Sequence, residues 1–347
     1  MGKTIIWPVR LLPSSLAIAM LLGCGPTLAS SGLELNTIEV LGNQTRGFES
    51  DAIVVYCGEQ ESFSSGDASE RYNVASIRKS LVSALYGIAI AKGLIDPDAS
   101  LKSLEFDDPL HPLTEQEKRA TLRDLLKSRS GIYLPALGES ESMKRRKPPR
   151  GSREPGSFFY YNNWDFNALG IIFERATEMR LGDAFKQWIA TPVGMEDFRV
   201  DDVIYQEANQ SAGLRMYRFY MSTRDLARFA ALYANGGLWS GAQLVPIAWV
   251  NETLTAHSTV PYGIWDGYGM LWWYKRNSDT WWGLGSGGQR LVINRGRRQA
   301  VVLMNNTGQG TISRWIYRNF GSSAPDWEAF AIQDILAQET TCGGSNR

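Results

Sequence analysis

The chain has 347 residues and no formal net charge, with 44% hydrophobic and 21% charged residues. This composition predicts one or two domains with packed cores and excludes a largely disordered chain. The balanced charge also excludes a protein that binds nucleic acid through a concentrated basic face.

The first residues are typical of an export signal. Lys3 and Arg10 are followed by the apolar run LLPSSLAIAMLL, which has the length of a secretory signal rather than of a membrane-spanning helix. The run ends in LLGC, which resembles the lipobox of bacterial lipoproteins, so we predict a signal peptide over 1–24 and a lipid on Cys24. TLAS just beyond offers the alternative of ordinary cleavage after Ala29. Either route predicts a bacterial cell-envelope protein, membrane-anchored or periplasmic.

Two cysteines remain after this segment. An oxidising compartment would permit a disulfide between Cys57 and Cys342. The alternative is a buried strand cysteine and an unrelated cysteine near the C-terminus, and the spacing does not decide between them.

Predicted strands lie at both ends of the remaining chain, and predicted helices lie between them. The first strands are LELNTIEV and AIVVYC. The helices are SIRKSLVSALYGIAIAKG, TEQEKRATLRDLLKS, NWDFNALGIIFERATEMR and STRDLARFAALYANGG. The last strands are MLWWYK, RLVIN and AVVLMNN, with NRGRR as a hairpin turn, and a closing helix is DWEAFAIQDILAQ. This order predicts one α+β domain over 32–340, with a sheet part at about 32–95 and 220–340 and a helical insertion at about 96–219.

The segment MKRRKPPRGSREPG, from Met143 to Gly156, contains six basic residues and three prolines. Prolines and like charges disfavour regular structure, so this segment is predicted to be a loop. It is either a solvated connection or a basic rim that faces an anionic surface or substrate.

Several kinds of catalytic site can be excluded. The chain has two histidines, His111 and His257, and neither lies in a zinc-binding spacing or beside a G-x-S-x-G turn. A serine-histidine-acid triad would need one of them. No P-loop or dinucleotide fingerprint is present, so we expect no metal and no cofactor.

A serine and a lysine three residues apart form the remaining candidate. Ser76 and Lys79 begin the helix SIRKSLVSALYGIAIAKG, and residues three apart share one helix face. Burial and the field of the helix N-terminus would lower the pKa of Lys79 and let it accept the serine proton. The alternative is a serine cap beside a solvated lysine. Arg78 either faces solvent or adds charge that lowers the pKa of Lys79.

Two further segments provide groups that such a pair needs. Tyr161 and Asn163 precede a helix, where a phenol can carry protons and an amide can bind a polar substrate group. GLGSGGQRLVIN provides a glycine-lined strand edge, where the N–H groups of Ser286 and Ser76 can form an oxyanion hole. The alternatives are a packed aromatic with an N-cap asparagine and a simple β-bulge.

S-x-x-K, Y-x-N and a glycine-rich strand, in this order, resemble the serine β-lactamase and penicillin-binding superfamily. The phrases LLKSRSGI, YYNNWDFNALG, TPVGM and GYGMLWW extend the similarity over about residues 35–338. The chain is most similar to the class C-like group, which includes esterases and aminohexanoate-dimer hydrolase. The resemblance implies a β-lactamase/transpeptidase-like fold, with an antiparallel sheet flanked by helices, a helical subdomain and a cleft between them.

The resemblance also implies roles for the three motifs. Ser76 would be the acylated nucleophile, Lys79 its base, and Tyr161 the group that carries protons to the leaving group and activates the deacylating water. Tyr161 is chosen over Tyr160 by its register in the pattern. The substrate-binding residues would be Asn163, Gly285, Ser286 and Gly287.

The third motif departs from the family pattern. Gly283-Leu284-Gly285 stands where relatives have K-T-G or H-x-G, so the cation that commonly holds an anionic substrate group is missing. Arg290 is either a substitute or a surface residue. A neutral ester or amide therefore fits better than a β-lactam.

The leading hypothesis is an exported serine hydrolase that cleaves a small ester or amide through an acyl-enzyme on Ser76. The first alternative is a β-lactamase or a D-alanyl-D-alanine peptidase of peptidoglycan. The second alternative is a catalytically silent binding protein of the envelope.

Overall fold

The computed structural model describes residues 51–305. Its helices are α1 (Arg78–Ala91), α2 (Leu122–Leu126), α3 (Glu141–Arg146), α4 (Asn163–Thr177), α5 (Leu181–Phe185), α6 (Thr223–Ala234) and α7 (Ile247–Thr253). Its first strands are β1 (Ala52–Cys57), β2 (Gln60–Gly66), β3 (Arg71–Asn73), β4 (Val203–Gln206), β5 (Met216–Ser222), β6 (Leu238–Trp239) and β7 (Ala242–Gln243). The last strands are β8 (Gly267–Tyr268), β9 (Trp273–Lys275), β10 (Thr280–Leu284), β11 (Arg290–Asn294) and β12 (Gln299–Met304).

The main sheet has seven antiparallel strands in the order β2-β1-β12-β11-β10-β9-β8. Strand β1 pairs with β12, so segments far apart in the chain are neighbours within the sheet. Val54 and Val302 are partners and belong to one apolar cluster, whereas Val55 and Val301 are partners and belong to a second cluster. Because successive side chains of a strand point to opposite faces, both faces of this sheet are buried.

A smaller antiparallel sheet has the order β3-β5-β4. Its strand β3 leads directly to α1, whose side chains are buried from Arg78 to Ala89. Hydrogen bonds hold α1 on two sides: Ser80 Oγ donates to the Leu271 carbonyl at 2.9 Å, and Tyr86 Oη donates to the Leu169 carbonyl at 2.8 Å. Helix α1 is therefore a central element that both sheets and α4 position.

Most predicted elements within residues 51–305 are confirmed. AIVVYC is β1, and β11 and β12 form the predicted hairpin around residues 295–298. Helix α6 begins after Ser222, whose hydroxyl accepts from the Asp225 amide at 3.2 Å and caps the helix. The α+β class is confirmed. The first predicted strand, the closing helix, the signal segment, Cys24 and Cys342 lie outside the described residues. Cys57 is disulfide-bonded, and both other cysteines of the chain lie outside the described range.

Two predicted boundaries were wrong. The helix expected over 114–128 is limited to a 3-10 turn at 117–119 and to α2, because the Ala120 backbone is extended and its carbonyl accepts from the Leu101 amide. The loop expected from Met143 begins inside α3, because Ser140 caps that helix by accepting from the Met143 amide at 3.2 Å.

The extent of the helical insertion stays a prediction. Residues 96–219 contain α2 to α5, together with β4 and most of β5. Within the part of the chain that the structure describes, no helix has the length and apolarity needed to cross a membrane.

Candidate active site

Ser76 lies in a strained turn immediately before α1. A 3-10 turn covers Ala75–Ile77, and Ala75 has φ of 49°, a left-handed conformation that is costly for a residue with a Cβ atom. The Asn73 side-chain oxygen accepts from the Ala75 amide at 2.9 Å and supports the turn. The turn leaves Ser76 half-buried while the following residues are buried.

Lys79 is positioned to act on Ser76. Its Nζ atom donates a hydrogen bond to Ser76 Oγ at 2.7 Å, and the lysine is only 1% exposed. The amine lies 4.7 Å from the centre of the Phe166 ring and 4.9 Å from that of Tyr161. Burial, and then the charge of Arg78, lower the pKa of Lys79 well below its ordinary value. A neutral amine at this distance can accept the serine proton.

Tyr161 completes a group of three with Ser76 and Lys79. Its phenol lies close enough to the Ser76 hydroxyl for that hydroxyl to lower the phenol pKa, and its ring packs 5.0 Å from that of Trp273. Burial raises the pKa of Tyr161 above its ordinary value, and the Ser76 hydroxyl offsets only part of that rise. The phenol therefore keeps its proton at neutral pH and can donate it.

The neighbouring Tyr160 is directed elsewhere. Its Oη atom donates to the Met143 carbonyl at 2.9 Å, and its ring packs edge-on against Tyr133 at 5.7 Å. The structure thus brings Tyr161, and not Tyr160, to the Ser76 hydroxyl.

A buried polar network holds the turn between Tyr161 and α4. Asn162 is the N-cap of α4, and its Nδ2 atom donates to the Ile132 carbonyl at 2.7 Å and to Asp165 Oδ1 at 2.8 Å. Ser130 Oγ donates to the same Asp165 oxygen at 2.5 Å. Asp165 is fully buried, and the sequence analysis missed it because no local pattern marks an acidic residue that faces the interior.

Asn163 follows this turn and is 3% exposed. Its Oδ1 atom has no hydrogen-bond partner among the described residues. Its Nδ2 atom lies close to Gly138: a Cβ atom added at Gly138 would be only 3.1 Å from it. A substrate contact by Asn163 stays a prediction.

The glycine-rich segment lies beside the nucleophile turn. A Cβ atom at Gly283 would lie 3.3 Å from the Ile77 side chain, so a larger residue there would require that side chain to shift by a few tenths of an ångström. The segment then forms a tight turn between β10 and β11 rather than a bulge. The Gly285 amide donates to the Gln289 carbonyl at 2.8 Å, and the Gly287 amide donates to Gln289 Oε1 at 2.9 Å.

The side chain of Gln289, which no sequence pattern marked, fills the space that Gly285 and Gly287 leave free. Ser286 is exposed on this turn. The substrate-binding roles of Gly285, Ser286 and Gly287, and the oxyanion-hole role of the Ser286 amide, stay predictions.

The two arginines left open by the sequence have different environments. Arg78 is 5% exposed and its guanidinium carbon lies 5.0 Å from the centre of the Tyr217 ring, so the solvent-facing alternative was wrong. Arg290 is half-buried, and its Nη1 atom donates to the carbonyls of Gly285 at 3.2 Å and Gln289 at 3.0 Å. Arg290 therefore supports the glycine turn.

Several basic side chains of the segment 143–156 contact other parts of the protein. Lys147 lies 2.6 Å from Glu139, and Arg150 lies 2.7 Å from Glu117. Arg146 lies over the Tyr262 ring at 4.6 Å. In these contacts the positive charges face groups of the protein itself rather than an outside partner. An interaction of this segment with an anionic partner stays a prediction.

Comparisons with known proteins identify the family and the fold of the chain. A model of the Beta-lactamase family matches residues 37–318. A candidate 6-aminohexanoate-dimer hydrolase from Bacillus anthracis has a similar structure, with a TM-score of 0.57, 20% identity, and 81% of each chain covered. An octameric penicillin-binding protein homologue from Pyrococcus abyssi gives a TM-score of 0.59, 17% identity, and coverage of 82% of this chain and 76% of that one.

EstCE1, a hydrolase with promiscuous acyltransferase activity, gives a TM-score of 0.60, 14% identity, and coverage of 87% of this chain and 97% of that one. At these identities, the solved structures show a shared fold. No curated protein matches the chain at a significant level.

Proposed function

The chain belongs to the beta-lactamase family, and from this premise we propose that it is an exported serine hydrolase that cleaves a small ester or amide through an acyl-enzyme on Ser76. The observation that carries the proposal is the 2.7 Å contact between Lys79 Nζ and Ser76 Oγ, made by a lysine that is buried. A buried amine beside a half-buried hydroxyl supplies both a base and an accessible nucleophile.

In the acylation step, Ser76 Oγ attacks the substrate carbonyl carbon while Lys79 takes the hydroxyl proton. The carbonyl oxygen becomes an oxyanion, and the N–H groups of Ser76 and Ser286 are the proposed donors to it. Burial of Lys79 supports this step, because a neutral amine is the form that accepts a proton.

Tyr161 supplies a proton to the leaving group. Burial raises the pKa of its phenol, so the proton is present at neutral pH, and the phenol lies near the Ser76 hydroxyl. Tyr161 is then reprotonated through Lys79. In deacylation, a water molecule attacks the acyl carbon and gives its proton to Tyr161, which passes its own proton to Lys79; the bond from the acyl carbon to Ser76 Oγ then breaks, and Lys79 returns the proton to that oxygen.

The third motif favours a neutral substrate. Gly283-Leu284-Gly285 has no cation, and Arg290 donates to backbone carbonyls of the turn. The names of two similar structures, a candidate 6-aminohexanoate-dimer hydrolase and EstCE1, a hydrolase with promiscuous acyltransferase activity, support an ester or amide as the substrate of the present chain. Export and membrane attachment through a lipid on Cys24 remain part of the proposal.

The proposal is tested with a short-chain aryl ester and a chromogenic cephalosporin. We expect turnover of the ester by the wild-type protein and its loss in Ser76→Ala. Ser80→Ala is the matched control, because Ser80 lies on the same helix but donates to the Leu271 carbonyl. Faster turnover of the cephalosporin than of the ester would favour the β-lactamase alternative. Turnover of neither, by folded protein, would favour a silent binding protein.

A further inference from the structure

Helix α1 begins with two consecutive cationic side chains, both buried. Arg78 is 5% exposed and Lys79 is 1% exposed. Among residues 51–305, no carboxylate lies within ion-pair distance of either side chain. The Nε and Nη2 atoms of Arg78 have no hydrogen-bond partner within the same range. Neither charge is therefore neutralised by an acid of residues 51–305.

Among residues 51–305, the groups in contact with this pair carry no negative charge at neutral pH. They are the Ser76 hydroxyl, the phenol of Tyr161 from the segment before α4, and the phenol of Tyr217 from β5. Burial raises the pKa of both phenols, to about 12 for Tyr217, so both stay protonated. The carboxylate of Glu174, which pairs with Arg215, also acts on Tyr217 and raises its pKa. Phe166 of α4 contributes an apolar ring, and β10 approaches with Gly283, which has no side chain.

Two buried like charges at consecutive positions, with no anion beside them among residues 51–305, repel each other and lose hydration, so the stable state has one of them discharged. An arginine keeps its proton in proteins, whereas a buried lysine readily loses its own. The lysine is therefore the partner that becomes neutral. This conclusion follows from the burial of the two side chains and from the lack of an acidic partner among residues 51–305. The lowered pKa of Lys79 agrees with it.

We propose that Arg78 is a positioning residue whose fixed charge, added to the burial of Lys79, keeps the Lys79 amine free of its proton, so that Lys79 is ready to accept the proton of Ser76. This inference rests on the proposed function, since it assigns the physical origin of the base in that mechanism. The stacking of the guanidinium on Tyr217 holds the charge in place, because an arginine over an aromatic face is attracted to the ring.

The test measures the labelling rate of Ser76 by a fluorophosphonate between pH 5 and 9, in the full-length protein. Wild type is compared with Arg78→Met, which removes the charge, and with Arg78→Lys, which keeps a cation. The labelling rate should rise with pH as Lys79 loses its proton, and we call this rise the acid limb. In Arg78→Met we expect the acid limb to shift to higher pH by about one unit. Labelling should then be roughly tenfold slower at pH values below the limb and unchanged above it. Arg78→Lys should keep most of the wild-type profile.

Lys92→Met is the matched control, because it removes a cation from the exposed opposite end of α1. It should leave the profile unchanged. An acid limb that does not move in Arg78→Met, or a rate lowered equally at every pH, would overturn the inference. Labelling of the wild type shows in the same experiment that the proposed nucleophile works, so failure of the inference and failure of the proposed function are distinguishable.

A measurement on the wild-type protein alone covers the case in which Arg78→Met does not fold. Nuclear magnetic resonance of protein labelled with ¹³C at the lysine Cε atoms should show one lysine in the neutral amine form at pH 8. A spectrum in which every lysine is still an ammonium at that pH would overturn the inference, because Arg78 would then not have discharged Lys79.

Discussion

Replacing Asp165 with asparagine is expected to change how the stability of the protein depends on pH. Asp165 is fully buried, and its Oδ1 atom accepts from Ser130 Oγ and from Asn162 Nδ2. Its Oδ2 atom has no hydrogen-bond partner among the described residues. Burial therefore raises the pKa of Asp165 well above its ordinary value, and the two donors offset only part of that rise. Asparagine keeps the accepting oxygen and carries no proton that titrates.

The sign of the effect follows from proton binding. Above about pH 4 an unfolded aspartate loses its proton while the folded one keeps it, so the wild type loses stability as pH rises toward the folded pKa. The slope approaches roughly 1.4 kcal/mol per pH unit. The free energy of unfolding of Asp165→Asn relative to wild type should therefore increase by up to that amount for each pH unit above about pH 4.

Urea denaturation of both proteins at pH 4.5, 5.5 and 6.5 measures this difference. Asp98→Asn is the control, because Asp98 is exposed and pairs with Arg123 at 2.6 Å, which lowers the pKa of that carboxyl. It should not gain stability over wild type as pH rises. A difference between Asp165→Asn and wild type that is the same at all three pH values would refute the reasoning.

Three further predictions concern the site and its support. Tyr161→Phe should slow ester turnover by about 10²-fold or more, the usual contribution of a positioned proton donor, whereas Tyr160→Phe should leave the turnover number near that of wild type. Lys79→Met should abolish turnover yet raise the free energy of unfolding by about 1 kcal/mol in thermal unfolding at pH 7, because folding no longer has to discharge a buried lysine. Asp225→Ala should lower the free energy of unfolding by about 3 kcal/mol, measured by urea denaturation. The reason is that the Asp225 carboxylate accepts hydrogen bonds from the amides of residues 196–198 at 2.9, 2.8 and 2.8 Å.

The parts of the fold that sequence predicted are those with a strong local pattern. The apolar run of β1, the turn between β11 and β12, and the capped start of α6 each carry their signal within a few residues. The helix expected over 114–128 failed because a tertiary contact, between the Leu101 amide and the Ala120 carbonyl, interrupts it. A periodic pattern contains no information about such a distant partner.

The same distinction applies to the candidate site. The spacing of Ser76 and Lys79 placed both on one helix face, because residues three apart meet there in any helix. Burial of Arg78 and Asp165 was not predictable, since each depends on which element covers that side chain. The hydrogen bonds that the glycine amides donate to Gln289 likewise depend on how the turn between β10 and β11 closes.

The most direct test of the central claim is the position of a covalent adduct. The mature protein is treated with a fluorophosphonate, its intact mass is read, and the modified peptide is sequenced, beside Ser76→Ala treated in the same way. The account predicts a single adduct on Ser76 of the wild type and none on the variant. No adduct on folded wild-type protein, or an adduct that persists in Ser76→Ala, would contradict it.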